Sequence, residues 1–142
     1  MGETTPKVSQ LRVVIEVDDF DEARRFFAES LGLEEEFFVE GPDGASVVAL
    51  QAGRSTLELI NAAQREYIDA VEVGRSVAGP VRLAFEVDDV RRASAMLVDA
   101  GSEVIAPPTV TPWNSLNARL SSPAGTQITL FEELDVDPGG GD

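Results

Sequence analysis

The chain repeats a stretch of its own sequence, and this duplication constrains its architecture more than any single motif. Residues 11–19 (LRVVIEVDD) return as residues 81–89 (VRLAFEVDD), with the Arg and the Glu-Val-Asp-Asp run in the same places. A second pair, residues 57–60 (LELI) and 128–131 (ITLF), follows at nearly the same offset. A fixed-period repeat indicates that one supersecondary module occurs twice, and two paired modules can enclose a site between them.

The pattern along each module predicts the order β-α-β-β-β. Residues 11–17 alternate apolar and other side chains, which is the period of a half-buried strand. A helix follows, with Asp19 and Glu22 as its capping residues, and turns rich in Gly and Pro then separate three short strands. In the second module Pro107 and Pro108 interrupt the pattern, and they predict an edge strand or a loop there.

These patterns divide the chain into five segments. They are a flexible N-terminus (residues 1–9), a first βαβββ module (10–61), a connector with a short helix (62–80), a second βαβββ module (81–134) and a disordered tail (135–142). The 142 residues suffice for one domain with a sizeable core.

The composition excludes several classes of protein. A hydrophobic content of 43% and a charged content of 26% are ordinary for a soluble globular chain. No apolar run approaches the roughly 20 residues of a membrane span, and no basic-then-apolar signal segment is present. The chain has no Cys, which removes disulfides, a thiolate nucleophile and Cys metal ligands. We therefore expect a cytoplasmic protein with no membrane partner.

The charge and the absence of His narrow the function further. There are 26 acidic and 11 basic residues, for a net charge of −15, which opposes binding to nucleic acid phosphates. This charge either attracts cationic ligands or serves solubility alone. The chain has no His, so the commonest metal ligand and the usual acid–base group near neutral pH are both missing.

Strand alternation predicts which side chains face a cleft between the modules. One face of the first and last strand of each module is apolar and packs beneath a helix. The residues predicted on the other face are Arg12, Val14, Glu16, Thr56, Glu58, Ile60, Arg82, Ala84, Glu86, Gln127, Thr129 and Phe131. This face mixes apolar and charged groups, which predicts a largely apolar cavity with few convergent polar groups.

The duplicated pattern is similar to a known family. The segments that carry the likeness are residues 15–19, 23, 26–27, 31–33, 85–89, 100–101, 112–113, 123–125 and 128–132. In this order they resemble the vicinal oxygen chelate superfamily, which includes glyoxalase I, extradiol dioxygenases and bleomycin-resistance-type binding proteins. The resemblance implies an α+β fold in which two tandem βαβββ modules form a curved mixed sheet around a cleft. It also implies a homodimer.

The resemblance identifies four residues of this chain at the positions where metal-using family members have their metal ligands. Metal-using members place ligands, usually His and Glu, on the first and last strands of each module, and those places fall on Arg12, Glu58, Arg82 and Thr129. Of these, only Glu58 is a ligand for a divalent cation, and an Arg side chain keeps its proton in proteins. The resemblance therefore points to the metal-free, drug-binding branch, with no metal, no cofactor and no catalytic residue assigned.

The candidate ligand-binding residues combine the cleft face with nearby aromatic and polar groups. They are Arg12, Val14, Phe38, Glu58, Ile60, Tyr67, Arg82, Trp113, Asn117, Thr129 and Phe131. A regular strand places only one of Phe37 and Phe38 in the cavity, and Phe38 is the one selected. Trp113 either stacks on a flat ligand or covers the core. Arg12, Glu58 and Arg82 either form an internal ion cluster or present one Arg to a ligand.

Two classes of function follow from these residues. The favoured hypothesis is a metal-independent binding protein, not an enzyme, that sequesters an aromatic or hydrophobic antibiotic or natural product. The competing hypothesis is a lyase, isomerase or dioxygenase of the same fold, which needs either Glu58 together with further metal ligands or metal-free acid–base work by Glu16 or Glu86. An accessory or regulatory domain is a third interpretation. Two cavity arginines favour an anionic ligand and the acidic surface a cationic one, so the sequence leaves the ligand's charge open.

Overall fold

The two modules join edge to edge in one curved, open sheet, which confirms the predicted α+β fold class. The structure is a computed structural model that describes residues 5–134. Its strands are β1 (Val8–Glu16), β2 (Glu35–Glu40), β3 (Ser46–Ala52), β4 (Ser55–Ile60), β5 (Val81–Val87), β6 (Val104–Val110), β7 (Ser115–Leu120) and β8 (Gln127–Glu133). Its helices are α1 (Phe20–Arg24), which continues as a π-helical turn (Arg25–Ser30), α2 (Ala62–Glu72) and α3 (Val90–Asp99).

The order of the strands places the two repeats symmetrically about the centre of the sheet. The order is β2-β3-β4-β1-β5-β8-β7-β6, with β1 and β5 antiparallel at the centre. Parallel pairs flank them, β1 with β4 on one side and β5 with β8 on the other. Across the central pair Val14 lies opposite Arg82 and Arg12 opposite Ala84. The first and last strands of both modules are therefore four neighbours, and their inward side chains meet in one place.

The apolar face of each module packs beneath its own helix, as the alternation predicted. In the first module α1 covers a cluster built on Val48, Leu50 and Leu59, with Ile15 and Val17 packed against it. In the second module the cluster under α3 consists of Val87, Val90, Ala93, Leu116, Ala118, Leu120, Ile128 and Leu130. The helices begin with equivalent caps, because Asp19 and Asp89 each accept a hydrogen bond of 3.0 Å from the backbone N–H three residues later.

One strand boundary differs from the sequence prediction, and the edge strand predicted at Pro107 and Pro108 is confirmed. Strand β1 begins at Val8, inside the predicted flexible N-terminus, because Val8 pairs with Val87 beyond a bulge at Gln10. Strand β6 runs through Pro107 and Pro108, with a register shift between Ala106 and Thr109. It lies at the edge of the sheet, where a missing N–H removes no ladder bond. The predicted tail at residues 135–142 lies outside the described residues, as do residues 1–4.

Helix α2 in the connector links the two halves of the sheet. Its cap, Asn61, accepts hydrogen bonds from the N–H groups of Gln64 and Ser46, which fixes the start of the helix against β3. Further along, α2 contacts β7 of the second module. The helix therefore crosses the concave face of the sheet. No helix among residues 5–134 is both long and apolar enough to span a bilayer.

Candidate ligand-binding cavity

The concave face of the sheet and α2 enclose a cavity of about 390 Å³. This volume falls within the usual range for small-molecule sites. The predicted site residues that line it are Arg12, Val14, Glu58, Tyr67, Arg82, Trp113, Asn117, Thr129 and Phe131. The alternation argument therefore brought most of the predicted residues to one cavity, although their roles as ligand contacts stay predictions.

Phe38 and Ile60 do not line this cavity. The Phe38 ring lies on the outer face, 6.1 Å from the Phe20 ring and 3.9 Å from the guanidinium carbon of Arg24. Phe37 takes the wall position in its place. Phe37 pairs with Ala49 of β3, and Ala49 pairs with the cavity residue Glu58 of β4, so Phe37 shares the cavity face and Phe38 does not. Ile60 is buried behind the wall among neighbouring apolar side chains.

Arg12 lies in the middle of the cavity wall between two aromatic rings. Its guanidinium carbon is 5.6 Å from the centroid of the Phe37 ring and 5.2 Å from that of Phe131. Its Nη1 is 3.5 Å from Oε1 of Glu58, while its buried Nε has no hydrogen-bond partner. Arg12 is thus held by one carboxylate and two ring faces.

Arg82 lies at the deep end of the cavity, where only 6% of its surface is exposed. Its Nη1 donates a hydrogen bond of 2.7 Å to Oγ1 of Thr129. Within residues 5–134 no carboxylate oxygen lies within 4.0 Å of Arg82. The predicted cluster of Glu58 between two arginines therefore forms on the Arg12 side only, and Thr129 holds Arg82.

A second buried charge network lies beside the cavity, and the sequence analysis missed it. Arg119, which is 0% exposed, forms ion pairs with Oδ1 of Asp69 at 3.0 Å and with Oε1 of Glu72 at 2.7 Å. Asn117 donates to the other oxygen of Glu72 at 2.7 Å. The available signals were the spacing of Asp69 and Glu72 on α2 and the placement of Asn117 and Arg119 on one face of β7.

Burial shifts the protonation equilibria of these groups. Burial raises the pKa of Glu58 above its usual value, although the charges of Arg82 and Arg12 oppose this shift. Burial also lowers the pKa of Arg82, against the attraction of Glu72 and Glu58. Burial alone would raise the pKa of Asp69, but hydrogen bonds from the N–H groups of Ala78 and Val77 and from Arg119 lower it. Burial of Glu58 in the cavity wall therefore favours its protonated form.

The carboxylates of the alternative enzymatic hypothesis lie elsewhere. Glu16 accepts a hydrogen bond of 2.7 Å from Nε of Arg65, and neither Glu16 nor Glu86 lines the cavity. Both sit near the ends of their strands, beyond the region that the cavity covers. Acid–base work by these two residues on a ligand in the cavity is therefore not supported by their positions.

The fold and cavity define a class of protein in which two βαβββ modules form an open cup around one small-molecule site. The family model of the Glyoxalase/Bleomycin resistance protein/Dioxygenase superfamily matches residues 9–130, and the chain belongs to this superfamily. The resemblance noted in the sequence is thereby confirmed at the level of the superfamily. No curated protein matches the chain in a sequence search.

Solved structures share the fold at low sequence identity. Methylmalonyl-CoA epimerase from Mycobacterium tuberculosis is 21% identical with a TM-score of 0.66, over 95% of this chain and 94% of that one. A methylmalonyl-CoA epimerase variant from Streptomyces coelicolor, in complex with 2-nitronate-propionyl-CoA, is 19% identical with a TM-score of 0.66, over 91% and 100%. A hypothetical protein from Bacillus halodurans C-125 is 19% identical with a TM-score of 0.68, over 93% and 97%.

The residues at the centre of the cup do not fit the metal that the superfamily implies. Arg12, Glu58, Arg82 and Thr129 do line one cavity, as the resemblance required. Across residues 5–134, however, no three His, Cys, Asp or Glu side chains come together as a possible metal site. Two guanidinium groups in the same cavity also oppose a divalent cation. The donor set therefore suits an anion or a carbonyl oxygen better than a metal.

Proposed function

We propose that this protein binds and sequesters an aromatic or hydrophobic small molecule, such as an antibiotic or another natural product, without a metal ion. One observation carries the proposal. The positions that metal-using relatives fill with ligands hold two arginines, and the deeper one, Arg82, has no carboxylate partner in the described part of the chain. A buried guanidinium without an ion-pair partner is a binding site for a carboxylate, a phenolate or a carbonyl oxygen.

The rest of the wall supplies affinity through apolar contact. Val14, Phe37 and Phe131 form apolar parts of the wall, and Trp113 and Tyr67 stand together with ring centroids 5.9 Å apart. Burial of apolar ligand surface contributes about 25 cal/mol per Å² before the losses of freedom on binding are subtracted. A flat aromatic ligand gains the most from such walls.

Native mass spectrometry against a panel of aromatic antibiotics tests the proposal. Protein treated with a chelator and checked by elemental analysis is expected to retain one ligand per chain, and Trp113 fluorescence is expected to change on binding. The ligand is expected to be recovered chemically unchanged. Binding that requires a stoichiometric transition metal, or failure to bind any member of a broad panel, would contradict it.

The competing candidate is a metal-free enzyme, which one specific observation favours. Glu58 is a buried cavity carboxyl with a raised pKa, a property of general acids and bases. The structural likeness to methylmalonyl-CoA epimerases adds an enzymatic precedent for the fold, at identities near 20%. Incubating a bound ligand with the protein in D₂O separates the two functions. Deuterium incorporation that disappears in a Glu58→Gln variant would establish catalysis.

The homodimer and the cytoplasmic location remain proposals that rest on the sequence. Analytical ultracentrifugation across a range of concentrations tests the dimer. A monomer that binds the ligand with full affinity would contradict the dimer and leave the proposed function intact.

A further inference from the structure

The chemistry of the cavity wall changes from its buried end to its open end, and strand β8 runs along this direction. Thr129, Phe131 and Glu133 occupy alternate positions of this strand and all line the cavity. Thr129 is 2% exposed and Phe131 6%, whereas Glu133 is an exposed residue at the mouth. Four residues of extended strand place Glu133 about 13 Å from Thr129. The wall therefore runs from a buried polar end, past an aromatic ring, to an acidic mouth.

The deep end places the guanidinium of Arg82 among buried polar groups. Arg82 is held by Thr129 and has no carboxylate partner within the described residues. The deep carboxylates are already engaged, because Glu58 pairs with Arg12 and Glu72 receives hydrogen bonds from Arg119 and Asn117. Arg82 is therefore the cavity guanidinium with no carboxylate within 4.0 Å among the described residues, although Glu72, Glu58 and Asp69 attract it at longer range. Its free donors suit a ligand anion that reaches the deep end.

The mouth presents aromatic faces and negative charge. Tyr67 and Trp113 lie with their rings 5.9 Å apart and tilted by 58°. The N–H of Leu134 donates to the carbonyl of Asn114 at 3.0 Å, which holds the end of β8, and with it Glu133, beside the Trp113 loop. Glu133 forms no ion pair among residues 5–134. A carboxylate beside two aromatic rings is the chemistry that recognises an ammonium group.

We propose that the cavity binds a rod-shaped aromatic molecule with an anionic group at one end and an ammonium group at the other. The anion contacts Arg82 at the deep end, the rings pack along the wall that includes Val14 and Phe131, and the ammonium lies beside Glu133, Tyr67 and Trp113. This inference rests on the proposed small-molecule binding and specifies its ligand class. It also accounts for both charge features of the chain, the arginines inside the cavity and the acidic residues on the protein surface.

The net charge of −15 supports a ligand with both charges. The acidic surface repels a simple organic anion at long range, and it attracts an ammonium group. A molecule that carries both groups has no net charge, so its deep anion reaches Arg82 without that opposition. Because Arg82 is bonded to Thr129, the span of about 13 Å along β8 suits two linked rings between the charged groups better than one.

A matched set of biphenyls tests the inference by calorimetry and Trp113 fluorescence. The bifunctional probe carries a carboxylate at one para position and an aminomethyl group at the other. The comparison probes carry the carboxylate alone, the aminomethyl group alone, or a methyl group alone. A one-ring analogue with both charges tests the length. We expect the bifunctional biphenyl to bind at least tenfold more tightly than each of the others.

A substitution at the mouth of the cavity tests where the ammonium group of the ligand binds. Glu133→Gln is expected to lower the affinity for the bifunctional probe about tenfold and to leave the carboxylate-only probe unchanged or slightly tighter. The matched control is Glu103→Gln, which removes an exposed acidic charge outside the cavity. It is expected to change neither affinity.

The outcomes separate this inference from the proposed function. Equal affinity for all the biphenyls would overturn the two-ended ligand and leave apolar small-molecule binding in place. The same holds if no biphenyl binds while a member of the antibiotic panel does. If neither set binds, the proposed function fails as well.

Discussion

The Arg119 guanidinium and the Glu72 carboxylate form a buried ion pair, with Nη2 2.7 Å from Oε1, that ties β7 to α2 across the cavity wall. The same guanidinium binds Asp69 one turn earlier on α2. This pair therefore fixes the helix that carries Tyr67 and Ile68 into the wall. Its members belong to the two different halves of the chain, so it depends on the assembled fold.

Replacement of Arg119 by Leu is expected to destabilise the protein by about 3–5 kcal/mol, because it leaves two buried carboxylates without their cation. Urea unfolding measures the change. The matched control is Arg91→Leu on the exposed face of α3, which is expected to change stability by less than about 0.5 kcal/mol. Equal effects of the two substitutions would show that the buried network does not stabilise the fold.

The raised pKa of Glu58 predicts how the stability of the protein changes with pH. Its folded-state pKa is raised above the usual 4.5, mainly by burial, so the folded protein holds a proton that the unfolded chain releases. Its contribution to stability is complete below pH 4.5 and is lost as the pH rises through the folded-state pKa. Relative to Glu58→Gln, whose amide does not ionise, the original protein is expected to lose stability as the pH rises.

Thermal unfolding of both proteins between about pH 4 and pH 8 checks this sign. A difference in melting temperature that does not vary with pH would show that Glu58 titrates normally. A difference of the opposite sign would show that the Arg12 and Arg82 charges outweigh burial.

The centre of the fold was predictable because the duplication and the alternation agree there. Residues 11–17 and 81–87 form adjacent strands without a bulge between Gln10 and Ile15, so every second side chain reaches the same face. That regularity placed Arg12, Glu58, Arg82 and Thr129 in one cavity from sequence alone. Local patterning suffices where strands are central and regular.

The departures arise where long-range contacts decide the structure. Phe37 rather than Phe38 faces the cavity because it pairs with Ala49, and the pairing register of an edge strand is weakly specified by its own sequence. Arg119 and Glu72 meet only after α2 folds across the sheet, and no local pattern covers their sequence separation of 47 positions. The sequence contained one indication of this ion pair, namely two acidic residues one turn apart on the connector helix. Their partner is Arg119, on the inward face of β7.

Asp69 predicts the opposite pH dependence to Glu58. Hydrogen bonds from Val77 and Ala78 and the charge of Arg119 lower its pKa below the usual 3.8 despite burial. Its contribution to stability is therefore present above pH 3.8 and is lost as the pH falls through the lowered value. Asp69→Asn is expected to be less stable than the original protein at neutral pH, with a difference that shrinks in acid. A urea series from about pH 2 to pH 7 checks this, and a difference that grows in acid would refute it.

A substitution at Trp113 distinguishes a role of this side chain in ligand binding from a role in the core. Its side chain lies at the cavity mouth and is 41% exposed, so Trp113→Ala is expected to cost about 1 kcal/mol of stability or less. Loss of its stacking face is expected to weaken ligand binding about tenfold, which calorimetry with a ligand found in the antibiotic panel measures. The control is Phe26→Ala, an aromatic truncation at a residue that is 57% exposed and lies outside the cavity. If Trp113→Ala leaves affinity unchanged or unfolds the protein, Trp113 covers the core and does not contact the ligand.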